Sequence, residues 1–210
     1  MHNMAVSIFA REFSLDGLRQ DTKSVTDNME LLLHRLSSPC GIIWLAVSEF
    51  GICWTGFEAK HARDKTTGIC TTNLQKIKKK WPKSVVSLAN EEKRDKPSTD
   101  IESFLLELPE DKANLVLYGT HFQKKVWRDL MTIPTGEVRS YKEMTDRIGN
   151  RTAVRAVGTA VGQNPLSLLV PCHRVIHSDG RLGNFAWGAC LKKQLLDWEG
   201  AKIKSYASNQ

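Results

Sequence analysis

Cysteine and histidine stand side by side in the run Pro171-Cys172-His173-Arg174-Val175. A thiol attacks as its thiolate, and an imidazole that accepts the thiol proton, itself held by a carboxylate, is the general recipe for generating one. The dipeptide alone is a weak signal, because short motifs recur by chance. On a strand the two side chains would point to opposite faces, so cooperation between them requires an irregular backbone or a bridging water, and Pro171 favours such a departure. The surroundings add a second property. Residues 114–210 carry 14 of the 30 Lys and Arg but only 7 of the 23 Asp and Glu, so the whole formal charge of +7 lies in that half. Clustered positive charge suits a phosphate backbone.

A nucleophile needs a scaffold, and 210 residues of which 41% are hydrophobic suffice for one large domain or two small ones. Val25, Met29, Leu32, Leu33 and Leu36 recur at helical spacing, which predicts one amphipathic helix in an N-terminal extension spanning 1–37. Gly41 to Val47 and Ile52 to Phe57 are apolar, β-rich runs around Ser48-Glu49-Phe50-Gly51, which predicts a hairpin. Lys76, Lys78, Lys79, Lys80 and Lys83 are read as a solvated helix face in preference to a DNA contact or a nuclear address, since nearby acids offset them. Asn90 to Thr99 is expected as an exposed loop, Ile101 to Leu108 as a segment packing back, and Asn114 to Tyr118 as a last short strand. These elements predict an α/β domain with a small sheet over 38–118, followed by a mainly α domain over 119–210.

The second domain marks its helices by their caps. Thr120 with Gln123 forms a capping box ahead of Phe122, Val126, Trp127 and Leu130 on one face. Ser140 with Glu143 forms another, with Tyr141, Met144 and Ile148 facing inward and Gly149-Asn150 as the stop. A further helix is expected from about Thr152 to Val161, with Val154, Val157 and Val161 facing the core, and the pair makes a helix-turn-helix. The other face of that last helix is small: Ala153, Ala156, Gly158, Thr159 and Ala160, with Arg151 and Arg155 near its start. Close approach to a nucleic-acid groove and close helix-helix packing account for it equally well.

No apolar run approaches the roughly 20 residues of a membrane span, and the charged start lacks a signal-peptide stretch, so a cytoplasmic, nucleoid or nuclear chain that is not secreted is expected. The five cysteines are odd in number and widely spaced, which argues against a disulfide framework or a four-cysteine zinc site.

Several segments in register resemble one family: Gly136-Glu137-Val138-Arg139-Ser140-Tyr141, Arg155-Ala156-Val157-Gly158, Asn164-Pro165, Pro171-Cys172-His173-Arg174-Val175-Ile176, and Lys192-Lys193-Gln194-Leu195-Leu196 through Glu199. Their order and spacing resemble the O6-alkylguanine-DNA alkyltransferases, strongly over 119–200, more weakly at 41–57 and not at all over about the first 35 residues. The resemblance implies a ribonuclease-H-like first domain and a winged-helix-like second one. It implies direct-reversal repair: a monomer binds double-stranded DNA through the minor groove, flips an O6-alkylguanine or an O4-alkylthymine, and takes the alkyl group irreversibly onto a cysteine. Carried over, Cys172 is the acceptor, His173 the base acting through a water, Glu199 its carboxylate and Asn164 the brace of the turn. Tyr141 promotes rotation of the base, and Arg155 fills the space it leaves. Arg151, Ala153, Ala156 and Gly158 face the DNA. Val175, Phe185, Ala186 and Trp187 join Tyr141 around the base, and Arg174 is structural, tying the active-site loop to the first domain.

Three departures bear on substrate range. Phe185 stands where many relatives have Tyr, Trp187 where several have Gly, and Ala186 offers no hydroxyl to the leaving oxygen, so backbone amides must serve there. Methyl is therefore expected to react well and benzyl poorly. His177 is read as a loop histidine rather than a metal ligand. No cofactor, zinc set or four-cysteine activating module is expected, which implies a stand-alone repair protein. Three rivals weigh less. A lesion-binding protein without transfer has no use for Cys172, a turnover hydrolase has none for Arg155 and the basic half, and a sequence-specific regulator needs longer side chains than Ala, Gly and Thr to read bases.

Overall fold

The computed structural model describes residues 29–59, 69–89, 97, 99–109 and 112–203. They divide into two compact units, one ending at Tyr118 and one starting at Gly119.

The first unit is built on a four-stranded sheet. Strands β1 (Glu30–Ser38), β2 (Gly41–Ser48), β3 (Gly51–Phe57) and β4 (Val85–Leu88) run in the order β3-β2-β1-β4, with only β1 and β4 parallel. The hairpin forms at the expected place. Gly51 takes φ +125°, and a Cβ there would lie 2.3 Å from the Asn114 carbonyl oxygen, so the turn requires glycine twice over. Helix α1 (Thr71–Lys80) crosses from β3 to β4, and α2 (Ile101–Glu107) packs by β1. The basic run lies on and after α1, where Lys78 and Lys80 donate to the carbonyls of Ser84 and Tyr118.

Two expectations are corrected here. Residues 30–38 form a strand, not a helix. Met29, Leu31 and Leu33 bury one face at a spacing of two while Leu32 is left exposed, and pairing on both edges with β2 and β4 outweighs the helix preference of leucine. Val25 lies outside the described residues. Asn114 to Tyr118 is extended but joins the sheet through a single bridge, Ile52 to Leu115, because its pairing is limited to the two backbone bonds of Ile52. Most of Asn90 to Thr99 also lies outside the described residues.

The second unit holds α3 (His121–Met131), β5 (Arg139–Ser140), α4 (Tyr141–Ile148), α5 (Val154–Gly162), β6 (Val175–Ile176) and α6 (Ala189–Trp198). Both capping boxes close reciprocally. Thr120 accepts from the Gln123 amide while Gln123 accepts from that of Thr120, and Ser140 and Glu143 repeat the pattern. Gly149 ends α4 in the left-handed region at φ +77°, donating back to Asp146. Trp127 of α3 is fully buried and donates its indole N–H to the Ala160 carbonyl of α5 at 2.8 Å. Helix α5 starts two residues later than expected, and Val154 is 42% exposed rather than inward, the buried side chains of the helix being Val157, Ala160 and Val161. The parallel pairing of β5 with β6 matters most for the site. Arg139 opposes Val175 and Ser140 opposes Ile176, which sets the start of α4 beside the end of the Cys172 turn.

Candidate active site

Cys172, His173 and Arg174 form one turn of 3-10 helix after Pro171, the irregular backbone that a cooperating Cys-His pair demands. The loop leading in is held by Asn164. Its amide nitrogen donates to the Val170 carbonyl at 2.8 Å, and its oxygen accepts from the Leu166 amide at 3.0 Å. Between them Leu168 sits at φ +77°, a conformation that costs a non-glycine residue roughly 1 kcal/mol or more and persists because both sides are pinned.

His173 and Glu199 have no exposed side-chain surface, and Arg174 only 3%. His173 Nε2 lies 2.8 Å from Glu199 Oε1. Arg174 donates to both oxygens of the same carboxylate, Nε at 2.8 Å and Nη2 at 2.9 Å, and also to the Ile133 carbonyl and the Thr135 hydroxyl. Glu199 caps the C-terminus of α6, so these bonds fasten the turn to α6 and to the Ile133–Thr135 segment of its own unit. The expected tie of Arg174 to the first domain receives no support from them.

Charge settles the protonation states. Burial raises the Glu199 carboxyl, but the hydrogen bonds and charges of His173 and Arg174 outweigh it and hold the group below the ordinary carboxylate range. Burial lowers the His173 imidazole, with Arg174 and Lys192 adding to the effect and Glu199 only partly opposing it, so the ring is neutral at neutral pH. An ionised carboxylate only accepts, so Nε2 carries the hydrogen, and the buried Nδ1, which has no hydrogen-bond partner among the described residues, is the basic atom. Burial raises the Cys172 thiol, opposed by Asn164, the Lys192 cation and Ser167. Tyr141 is raised by burial and by Cys172, which keeps it a phenol that can donate.

Cys172 is 5% exposed and borders a cavity of only about 10 Å³ with Asn164, Ser167, Phe185 and Ala186. Phe185 and Ala186 also line a cleft of about 480 Å³ with Tyr141, Arg155, Gly158 and His177. Arg155 and Ala156 are exposed on α5, Ala153 precedes it, and Gly158 faces the Tyr141 ring, where a Cβ would lie 3.9 Å away. Arg151 is exposed and pairs with Asp146 at 3.0 Å. Val175 and Trp187 line neither space. Val175 is buried in β6, and the Trp187 indole donates to Ser167 at 2.8 Å. Among the described residues no group of three or more His, Cys, Asp or Glu could hold a metal ion, and no helix is long and apolar enough to cross a membrane.

Sequence reasoning missed three of these neighbours. Lys192 is fully buried, donates to the carbonyls of Val175 and Leu182, and is pushed down to about 8 by burial. A signal for it existed, since Lys192, Leu195, Leu196 and Glu199 share one helical face at i, i+3, i+4 and i+7. His177 is exposed, as a loop histidine, but its ring packs on Tyr141 at 5.2 Å, with Gly183 leaving room for it. The Ser167 partnership with Trp187 had no local signal, because 20 residues separate the two.

The residues that form this arrangement fall in a stretch that is similar to known proteins. Residues 121–201 match the model of the 6-O-methylguanine DNA methyltransferase, DNA binding domain. A methylated-DNA--protein-cysteine methyltransferase of Methanosarcina acetivorans is 42% identical over 135 residues, which are 64% of this chain and 86% of that protein. One from Mycobacterium tuberculosis is 48% identical over 99 residues, 47% of this chain, and the match spans 60% of that relative's length. The crystal structure of Mycobacterium tuberculosis OGT in complex with DNA is similar at a TM-score of 0.57 with 31% identity, covering 80% of this chain and 92% of the other. The matched region contains Cys172, His173, Asn164 and Glu199, and the similarity reaches well into the sheet-bearing unit, so the chain belongs to the methylated-DNA--protein-cysteine methyltransferase family.

Proposed function

We propose that this protein repairs DNA by direct reversal, transferring a methyl or other small alkyl group from O6-alkylguanine, and from O4-alkylthymine, irreversibly to Cys172. The observation that carries the reading is the buried line from Glu199 through a neutral His173 in the turn that also bears Cys172, beside a cleft lined by Tyr141 and Arg155. Support comes from the family, whose members are named for this transfer, and from the similar structure solved in complex with DNA.

The chemistry balances within the residues present. The Cys172 thiol gives its proton, through a water, to His173 Nδ1. The thiolate attacks the alkyl carbon, the S–C bond forms as the C–O6 bond breaks, and the electron pair stays on guanine. Guanine then takes up a proton at N1, matching the one held by His173. Glu199 fixes the imidazole and balances the charge it acquires. The S-alkylcysteine that results is a stable thioether, so each chain acts once.

Double-stranded DNA is the partner, approached through the minor groove by α5, whose small residues let the backbone come close. Arg155, exposed on the first turn of α5, enters the stack as the base rotates out, because a planar guanidinium can both stack and hydrogen-bond an orphaned partner. Ala153, Ala156, Gly158 and Arg151 flank it. The fold reading is a ribonuclease-H-like first unit and a winged-helix-like second one, acting as a monomer wherever the cell keeps its DNA.

The direct test offers duplex DNA with isotope-labelled O6-methylguanine in excess. Uptake is expected to stop at one methyl per chain and to be abolished in Cys172→Ala; continued turnover would refute the assignment. The tight space around Cys172 gives a second expectation. A cavity of about 10 Å³ cannot take a methyl without displacing neighbours, so the methylated protein should lose about 1 to 3 kcal/mol of stability, and an unchanged melting temperature after complete methylation would count against it. The same space predicts slow reaction with O6-benzylguanine. Trp187→Gly, which removes the group backing Ser167, should raise the benzyl rate relative to methyl by about tenfold or more, a ratio read by competition between the two substrates.

A further inference from the structure

We propose that Ser167 is a positioning residue for the acceptor sulfur and that Trp187 holds it in that role: the indole N–H fixes the serine oxygen so that the hydroxyl proton is directed at Cys172 Sγ and stabilises the thiolate. The inference rests on Cys172 being the nucleophile proposed above.

Geometry carries the argument. Trp187 Nε1 donates to Ser167 Oγ at 2.8 Å. An indole nitrogen is a donor only, so the serine oxygen must accept there, and its single O–H can be given only to a different group. Ser167 is 2% exposed and borders the same small cavity as Cys172 and Asn164. Its backbone is fixed by the bridge to Val170 and by the left-handed Leu168 that follows. Ser167 and Asn164 both draw the Cys172 thiol down against the effect of its burial.

A neutral thiol gains little from a weak hydroxyl bond, whereas a thiolate gains a charge-assisted one, so the contact selectively favours the attacking form. The other titratable groups around the sulfur are Lys192 from α6, Tyr141 from α4 and the adjacent His173. Lys192 supplies charge but is anchored to the Val175 and Leu182 carbonyls. Ser167 and Asn164 supply short-range direction.

The test needs no DNA. Alkylation of Cys172 by iodoacetamide is followed across a wide pH range and read on the Cys172 peptide by mass spectrometry, which separates it from the exposed Cys190. Ser167→Ala is expected to move the profile to higher pH and to slow modification at neutral pH about tenfold. Trp187→Phe keeps a ring but loses the donor, and should move the profile the same way by about threefold; Ser167→Thr keeps the hydroxyl and should retain the wild-type profile. Unmoved profiles in both Ser167→Ala and Trp187→Phe would overturn the proposal, and a shift in Ser167→Ala alone would overturn the part given to Trp187. Methyl transfer from O6-methylguanine DNA is measured on the same wild-type protein. Its absence alongside shifted profiles would count against the repair function while supporting the pair, and its presence alongside unmoved profiles would do the reverse.

Discussion

The carboxylate of Glu199 is shared between His173 and Arg174 with no access to solvent, and the second unit is organised around keeping it there. A buried anion is costly unless paired and hydrogen-bonded, and here one oxygen meets an imidazole while both meet a guanidinium. The Arg174 cation compensates Glu199, which leaves His173 free to stay neutral. The same carboxylate therefore does two things, joining the 3-10 turn to the end of α6 and setting the proton inventory of the imidazole. Loss of Glu199 would strand the Arg174 charge in the interior, so structure and chemistry fail together at this point.

The rest of the unit converts that anchor into a presented sulfur. The short parallel pairing of β5 with β6 brings the start of α4, with Tyr141, against the turn that carries Cys172. Asn164 and the strained Leu168 fix the incoming loop. Phe185 and Ala186 border both the narrow space at the thiol and the wider cleft lined by Arg155. Under the proposed single-use transfer, tight packing around the acceptor is tolerable, since the product never has to leave the sulfur.

Much of this was legible in the residues. Both capping boxes and the Gly149 stop were readable because helix ends are encoded locally, within three or four positions. The hairpin was readable because its turn chemistry is local too. What could not be read was decided at a distance. The leucines of β1 fit a helix period as well as a strand, and only pairing with β2 and β4 breaks the tie. Glu199 reaches His173 across 26 positions and Trp187 reaches Ser167 across 20, so the first was placed only by family resemblance and the second not at all. The helical phase of Lys192 matches the buried face of α6, but the Val175 and Leu182 carbonyls that receive its charge lie at a distance in sequence.

The proposed transfer depends throughout on the tautomer of His173, a proton on Nε2 and a free lone pair on Nδ1. Nitrogen NMR of histidine-labelled protein, with His173 identified by substitution, reports both atoms at neutral pH. The account predicts a neutral ring protonated at Nε2 and bare at Nδ1. An imidazolium, or a proton resident on Nδ1, would contradict it.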